Sequence, residues 1–358
     1  MAHEFDDMER KKLSLLWLPE TLAEGSQNDA QRSECPRCGR GHHGVKVIRD
    51  AVNAYFDTRG SYKRTSKSIA YRIGHMQLYR ILDELGQGCK SPVQVARELH
   101  PSWSGRLGLD TRVVKVRGEE RYLITAVDIE TQDVVDSWLV RQESLPALEL
   151  FLKEVKDVIR YAPNLVVIDL DQMWRESVKS IFPDVPIQLC AIHFERRVDT
   201  VIPKLRRTPW QKELKQMVRR VLYAPNEEEA KDALERLLRR GGCFRDKKSG
   251  QVINSLKENF EMLTTHFRVE GSLRSNNTAE NVNDKLGMRL WLIGGYKTMK
   301  EARNSLKLIV MQYRFNQFSS CSVKEKGGRS PLGLAEVDTS SLDWIRYSQK
   351  DPHILNAL

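Results

Sequence analysis

Of 358 residues, 58 are Lys or Arg and 48 are Asp or Glu, a formal net charge of +10. With 40% hydrophobic and 30% charged residues a disordered or collagen-like chain is excluded, and at about 150 residues per domain the length suits two or three domains. No apolar run approaches the roughly 18 residues of a membrane span, and the basic balance suits a polyanionic partner, although net charge serves solubility as well.

Residues 1–60 read as an irregular N-terminal region. The first of them mix Glu4, Asp6, Asp7 and Glu9 with Arg10, Lys11 and Lys12 before a short apolar patch, unlike a signal peptide. Cys35-Pro36-Arg37-Cys38-Gly39, followed by His42 and His43, has the spacing of one zinc-ribbon knuckle. A full site needs a second pair, and no further Cys-x-x-Cys exists. Either His42 or His43 completes a Zn²⁺ site, or the knuckle is a remnant without metal. The remaining cysteines are scattered, which speaks for a reducing, cytoplasmic setting.

Residues 61–104 read as short helices. Ile69, Ala70 and Ile73 make one apolar stripe, Gly74 breaks it, and Leu78, Ile81, Leu82 and Leu85 make the next; a third helix covers 93–99 and is closed by Pro101. The pair over 66–86 resembles a helix-turn-helix whose second helix shows His75, Gln77, Tyr79 and Arg80 outward, as donors to base edges and phosphates. Many helical hairpins share that pattern.

Over 105–193 the period changes. Segments 109–116, 121–128 and 134–140 are strands, with turns at Arg117-Gly118-Glu119-Glu120 and Glu130-Thr131-Gln132, an antiparallel meander. A helix over 145–161 ends at Pro163. The wholly apolar 165–168 is a strand of the kind buried on both faces, 171–181 is helical, and 187–190 is a last strand. The order β-β-β-α-β-α-β predicts an α/β fold with a mixed sheet. Residues 194–270 lose the strand signal and read as amphipathic helices, an all-helical insertion. Within 271–320, Arg274-Ser275-Asn276-Asn277-Thr278 supplies N-cap residues to a helix from about Ala279, and 301–318 is a further long helix. Residues 321–358 form a polar tail.

Three acids stand out. Asp110 begins the first strand, Asp169 directly follows the apolar 165–168 strand, and Glu280 lies in the first turn of the late helix. An acid beside so apolar a strand is costly unless a cation pairs with it. Carboxylates from separate elements suit Mg²⁺ (or Mn²⁺), a hard ion that keeps several waters. Two such ions, about 3.5–4 Å apart, activate an attacking oxygen and stabilise the leaving oxygen of a phosphodiester. Singly, each acid reads first as a cap or a solvated strand end; together, in this order of elements, they favour function. If the tight turn pairs Arg117 with Glu120, Asp110 falls opposite Val127 and Leu109 opposite Asp128. Asp128 then faces away and is the weaker first acid. Asp171 suits an N-cap.

Taken in order, residues 109–118 and 122–128, Val167-Ile168-Asp169, Gln188-Leu189-Cys190-Ala191-Ile192-His193 and Asn276-Asn277-Thr278-Ala279-Glu280-Asn281-Val282-Asn283 resemble the catalytic domain of DDE transposases. These belong to the ribonuclease-H-like superfamily, and the match is to the insertion-sequence and Mutator-like branch. The resemblance covers residues 107–318. It implies a ribonuclease-H-like mixed sheet interrupted by the helical insertion, with Asp110, Asp169 and Glu280 as catalytic acids holding two Mg²⁺ or Mn²⁺. The separations, 59 residues from Asp110 to Asp169 and 111 from Asp169 to Glu280, suit that branch. Its Cys-x-x-His motif implies a structural contact near the active site for Cys190 and His193. By spacing alone they are half a zinc site, or a buried Cys and a capping His. Where relatives often carry Lys or Arg seven residues after the glutamate, position 287 is Gly; Lys285 or Arg289 is left as the basic partner of DNA.

Residues 196–248 hold sixteen Lys or Arg against eight Asp or Glu, a one-signed excess that favours phosphate contact. Arg206, Arg207 and Trp210 sit within it. An insertion-domain tryptophan can stack on a displaced base in the family, which makes Trp210 a candidate, while core packing is the first reading of it. The resemblance implies a transposase that cuts at terminal inverted repeats and joins a 3′-hydroxyl to target DNA. It implies double-stranded DNA as partner, a homodimer or larger assembly, no membrane, and a place in the cytoplasm, at the nucleoid if the source is prokaryotic. The rivals are a transposase-derived DNA-binding protein without catalysis, and a ribonuclease-H-like nuclease that cuts without joining.

Overall fold

The computed structural model describes residues 33–34, 41–42, 45–58, 60–69, 73–243, 246–292, 296–319 and 326–350. The chain falls into two compact units: Met1–His100 with Val114–Glu120 and Leu286–Leu358, and Pro101–Val113 with Arg121–Lys285. No helix among the described residues is long and apolar enough to cross a membrane.

The first unit is mostly helical. Strands β1 (Ser33–Glu34) and β2 (Gly41–His42) pair antiparallel, Ser33 opposite His42. Cys35, Cys38, His43 and the His42 side chain lie outside the described residues, and the zinc site expected there lies with them. Helix α1 (Val45–Asp57) replaces part of the irregular chain expected before residue 60. Val47, Ile48, Ala51, Val52, Tyr55 and Phe56 are buried along it, a helical period interrupted by too many polar residues to announce itself. Helix α2 (Tyr62–Ser68) ends where the first apolar stripe was expected to begin. Ser61 caps it at the Arg64 N–H, and Ile69 is already extended. Helix α3 (His75–Gly88) buries Leu78, Ile81, Leu82 and Leu85 and leaves Gln77 and Arg80 exposed. Helix α4 (Pro92–Leu99) opens with a Ser91–Gln94 capping box.

The sheet has the order β5-β4-β3-β6-β7, from β3 (Arg106–Val116), β4 (Glu119–Asp128), β5 (Val134–Val140), β6 (Leu165–Ile168) and β7 (Ile187–Leu189). β6 lies parallel to both β3 and β7, and β4 runs antiparallel to β5. The α/β class and the mixed sheet follow the predicted order of elements. The β3–β4 turn differs by one residue from the expectation. Arg117 and Gly118 both have positive φ, 56° and 79°, so they are the central pair of a two-residue turn whose twist suits a hairpin. Counting from Val116 and Glu119 sets Asp110 opposite Thr125 rather than Val127, and alternation still turns Asp128 away. Asp128 is wholly buried. It accepts hydrogen bonds from the Ser104 N–H and Oγ at 2.8 Å, the Thr131 N–H at 3.0 Å and Oγ1 at 2.9 Å, and the Tyr161 hydroxyl at 2.8 Å. Its cost of burial is met by donors, without a cation.

The helix expected over 145–161 is α5 (Leu145–Lys153), continued by a π-helical turn over Glu154–Val158. Helix α6 (Gln172–Ile181) is capped by Asp171, which accepts from the N–H groups of Met173 and Trp174 at 2.7 and 3.2 Å. After β7 the chain is helical: α7 (Ala191–Val201), α8 (Pro209–Leu222), α9 (Glu227–Arg240), α10 (Lys247–Leu263) and α11 (Asn277–Leu292). Helix α12 (Met299–Phe315) and the short α13 (Pro331–Leu334) and α14 (Trp344–Ser348) follow.

Candidate active site

Two neighbouring parallel strands deliver two of the three acids. β3 and β6 pair Arg106 with Leu165, Leu107 with Val166 and Gly108 with Val167. Two residues further in that register, Asp110 comes level with Asp169. The separation of 59 residues in the sequence is therefore the register offset of the two strands, which run about 4.8 Å apart. Both side chains line one cleft of about 170 Å³, together with Thr111, Tyr122, Glu143, Asp171 and Trp174. It opens beyond the carboxyl end of β6, the end at which open α/β sheets bind ligands.

Glu280 arrives on the first turn of α11, and the start of that helix is tied to the strand ends. The Cys190 N–H donates to the Ile168 carbonyl at 2.9 Å, and the Ala191 N–H donates to the Arg274 carbonyl at 2.9 Å. The buried Cys190 Sγ accepts the Asn276 N–H at 3.3 Å. Asn276 in turn donates from Nδ2 to the Leu109 carbonyl at 2.8 Å, while its own carbonyl accepts the Glu280 N–H at 3.1 Å. The approach is close enough that a Cβ on Gly108 would lie 3.0 Å from both Ala279 Cβ and Asn276 Oδ1. Cys190 thus acts as a fastener between β7 and the glutamate helix.

His193, in the first turn of α7, stands between two of the acids. Its Nδ1 is 2.9 Å from Asp169 Oδ1 and 3.3 Å from Glu280 Oε1. Arg196, one turn on, places Nη1 3.2 Å from Glu280 Oε2. Ligand-type atoms of Asp169, Cys190, His193 and Glu280 all lie within 4.8 Å of one another. Asp169 Oδ1, Glu280 Oε1 and His193 Nδ1 are buried without a well-aligned hydrogen bond, and the ion pairs of His193 with both carboxylates link the three. The Asp169 carboxylate, then Cys190, push the His193 imidazole up to about 10 against the opposing effect of burial. Burial pushes the Asp110 carboxyl up to about 6; a hydrogen bond from Asn283 opposes the rise, and the charges of Asp169 and Glu280 add to it.

Asn283, Glu143, Thr111 and Arg196 were not singled out from the sequence. Asn283 follows Glu280 by three residues, a helical spacing that puts both on one face. Thr111 Oγ1 donates to Glu143 Oε1 at 2.7 Å and accepts from Trp174 Nε1 at 3.1 Å; Glu143 lies in a loop, where no periodicity marks it.

The basic residues expected to meet DNA are placed differently from one another. Arg207, only 8% exposed in its side chain, donates from Nε and Nη2 to the Ile202 carbonyl at 2.9 and 2.8 Å and pairs with Asp199. These contacts close the end of α7. Trp210 is 48% exposed in the first turn of α8, which corrects the core packing expected of it first. The Arg206 side chain lies outside the described residues, and Lys285 is exposed on α11. In the first unit Arg289 donates from Nη1 to the Tyr55 carbonyl at 2.8 Å and lies 5.5 Å from the ring centres of Tyr55 and Phe56.

A chain in the cryo-electron-microscopy structure of the simian T-cell lymphotropic virus intasome in complex with PP2A regulatory subunit B56 gamma is similar over 49% of this chain and 69% of its own. At 11% identity and a TM-score of 0.20 that likeness carries no argument. None of the curated proteins matches. The family model described as transposase, Mutator family, matches residues 95–317. That span is more than half of the chain, running from α4 to just beyond α12 and enclosing the whole carboxylate cluster. The chain belongs to the Mutator family of transposases.

Proposed function

We propose that this transposase is a DDE enzyme with a ribonuclease-H-like catalytic domain, in which Asp110, Asp169 and Glu280 are the catalytic acids. It cleaves DNA at the terminal inverted repeats of an insertion element and transfers the 3′-hydroxyl into target DNA, working on double-stranded DNA as a homodimer or larger assembly. The observation that carries this reading is the shared level of Asp110 and Asp169 on adjacent parallel strands, with Glu280 beside Asp169 through His193. The strand order and directions support the ribonuclease-H-like assignment.

Divalent cations, two Mg²⁺ or Mn²⁺, fit these residues. Asp169 Oδ1 and Glu280 Oε1 are buried oxygens without hydrogen-bond partners, and carboxylates are the donors hard ions prefer. Asp110, Asp169 and Glu280 would hold them, and when bound they supply Lewis-acid polarisation of the phosphodiester and an activated water or 3′-hydroxyl. The chain's own residues prepare that site. Asn283 orients Asp110 through one oxygen. His193 neutralises the facing charges of Asp169 and Glu280, and Arg196 steadies the outer oxygen of Glu280.

A strand-transfer assay with a 3′-labelled element end tests the reading. The wild type yields joined product, whereas Asp169→Asn yields neither cut nor joined DNA yet binds duplex within about twofold of wild type, since one carboxylate removed from a transition-state site costs rate rather than ground-state binding. Cut but unjoined DNA from the wild type identifies a nuclease, binding alone identifies a DNA-binding protein, and undiminished cutting by Asp169→Asn removes the assignment.

A further inference from the structure

Helices α8 and α9 form an antiparallel hairpin, tied at one end by an ion pair of 2.7 Å between Arg240 Nη1 and Glu213 Oε1. Leu214, Met217, Val218 and Val221 of α8 and Ala230, Ala233 and Leu237 of α9 are buried. Along the hairpin runs a groove of about 280 Å³, lined by Met217, Ala233 and four arginines, Arg220, Arg236, Arg239 and Arg240. Arg220, Arg236 and Arg239 are exposed, and among the described residues none of the three pairs with a carboxylate.

We propose that this groove binds the sugar–phosphate backbone of duplex DNA without regard to sequence. The proposal rests on DNA being the partner of this transposase and adds where the helical segment meets it. Like charges gathered without counter-charge raise the free energy of the folded chain unless a polyanion neutralises them. The ends of helices explain part of the pattern, since Arg220, Arg239 and Arg240 lie in last turns where cations suit the macrodipole. That effect acts at any azimuth around the helix. It does not require the side chains to converge on one groove, and it does not reach Arg236.

Guanidinium groups form paired, planar hydrogen bonds to phosphate oxygens, and the low floor of Met217 and Ala233 lets a backbone settle against them. From Ala233 to Arg240 the helix rises about 10 Å. One DNA strand advances about 3.4 Å per phosphate along its axis, so the row matches about three successive phosphates.

The test is the salt dependence of binding to a duplex of arbitrary sequence, measured in EDTA so that no cutting intervenes. Arg220→Gln/Arg236→Gln/Arg239→Gln is compared with Lys212→Gln/Lys247→Gln/Lys248→Gln, which removes the same charge from exposed positions outside the groove. Arg240 and its partner Glu213 stay in place to hold the hairpin, and circular dichroism with thermal melting verifies folding. Each phosphate contact contributes about 0.9 to the slope of log K against log salt. The groove variant is expected to lose about 2–3 from that slope and at least about tenfold in affinity, and the lysine variant markedly less. Equal losses in both variants, an unchanged slope, or a loss confined to single-stranded RNA overturns the proposal. Strand transfer by the wild type is scored separately: failure there with the groove effect intact sinks the DDE reading alone, and successful transfer with an unchanged slope sinks the groove alone.

Discussion

In the second unit Asn283 donates from Nδ2 to Oδ2 of Asp110 at 2.7 Å, while its own Oδ1 accepts from the Thr125 hydroxyl at 2.8 Å. Asn283 is 1% exposed and lies one helical turn after Glu280. One face of α11 therefore carries both the third acid and the group that orients the first. Because Asn283 is neutral, it restrains one oxygen of Asp110 without adding a charge to a site already rich in carboxylates.

Asn283→Ala leaves the half-buried Asp110 carboxylate and the buried Thr125 hydroxyl without that partner. Urea unfolding is expected to show a loss of about 1–3 kcal/mol, and cleavage to fall at least about tenfold with duplex binding intact. Asn283→Asp adds a negative charge beside Asp110 and should impair cleavage further than Ala does. A variant Asp that cleaves as well as wild type contradicts the positioning role.

His193→Gln removes the positive charge between Asp169 and Glu280. In EDTA the variant should lose about 1–3 kcal/mol of stability, the cost of leaving buried polar groups without their partner. Saturating Mn²⁺ should recover most of that loss, because a divalent cation neutralises the same two carboxylates. Melting curves with and without Mn²⁺ measure it; a deficit that Mn²⁺ leaves untouched assigns His193 a packing role only.

Gly108→Ala forces a methyl group against Ala279 Cβ and Asn276 Oδ1, each 3.0 Å from its ideal position. Overpacking of this kind costs about 1–3 kcal/mol, and the relief available is a shift of the first turn of α11, which carries Glu280. Cleavage should fall more steeply than stability, with DNA affinity retained. Full activity in a destabilised variant would show that the helix start is not the part that moves.

The pH dependence of folding should carry the mark of His266. Burial, then the charge of Arg274, push its imidazole down to about 4, with ring Nδ1 3.2 Å from Gln188 Oε1, which also accepts the His266 backbone N–H at 2.7 Å. Unfolded, the imidazole titrates near 6.5. Between those values the unfolded chain binds the proton and the folded chain does not, so this contribution is whole above about pH 6.5 and is lost as pH falls toward 4. Its slope cannot exceed about 1.4 kcal/mol per pH unit. Replacing His266 by Gln should flatten unfolding free energy over that window, and an identical profile in the variant rejects the assignment.

Much of the sheet was legible because its signals are local. The strands over Val134–Val140 and Leu165–Ile168 are marked by composition and bounded by turn residues, and the cap at Asp171 follows from residue type. Helix α1 was missed because its apolar stripe is diluted by Arg49, Asp50 and Asn53, and α2 was displaced because an isolated apolar triplet fits a helix or a strand end equally well. The turn at Arg117-Gly118 was misplaced by one residue because either central pair contains Gly118, and left-handed backbone at Arg117 is decided by the twist of the strands on either side.

Residue types at fixed places along one chain were enough for the family and for the order of strands and helices from residue 105 onward, since both are encoded locally. Only the tertiary structure decided which groups meet across long separations. It put the Cys190 thiol on the Asn276 N–H and Asn283 on Asp110, withdrew Arg207 into a helix end, and gathered unpaired arginines on one groove. Such contacts depend on register, helix azimuth and closest approach in space, quantities that a one-dimensional pattern does not contain.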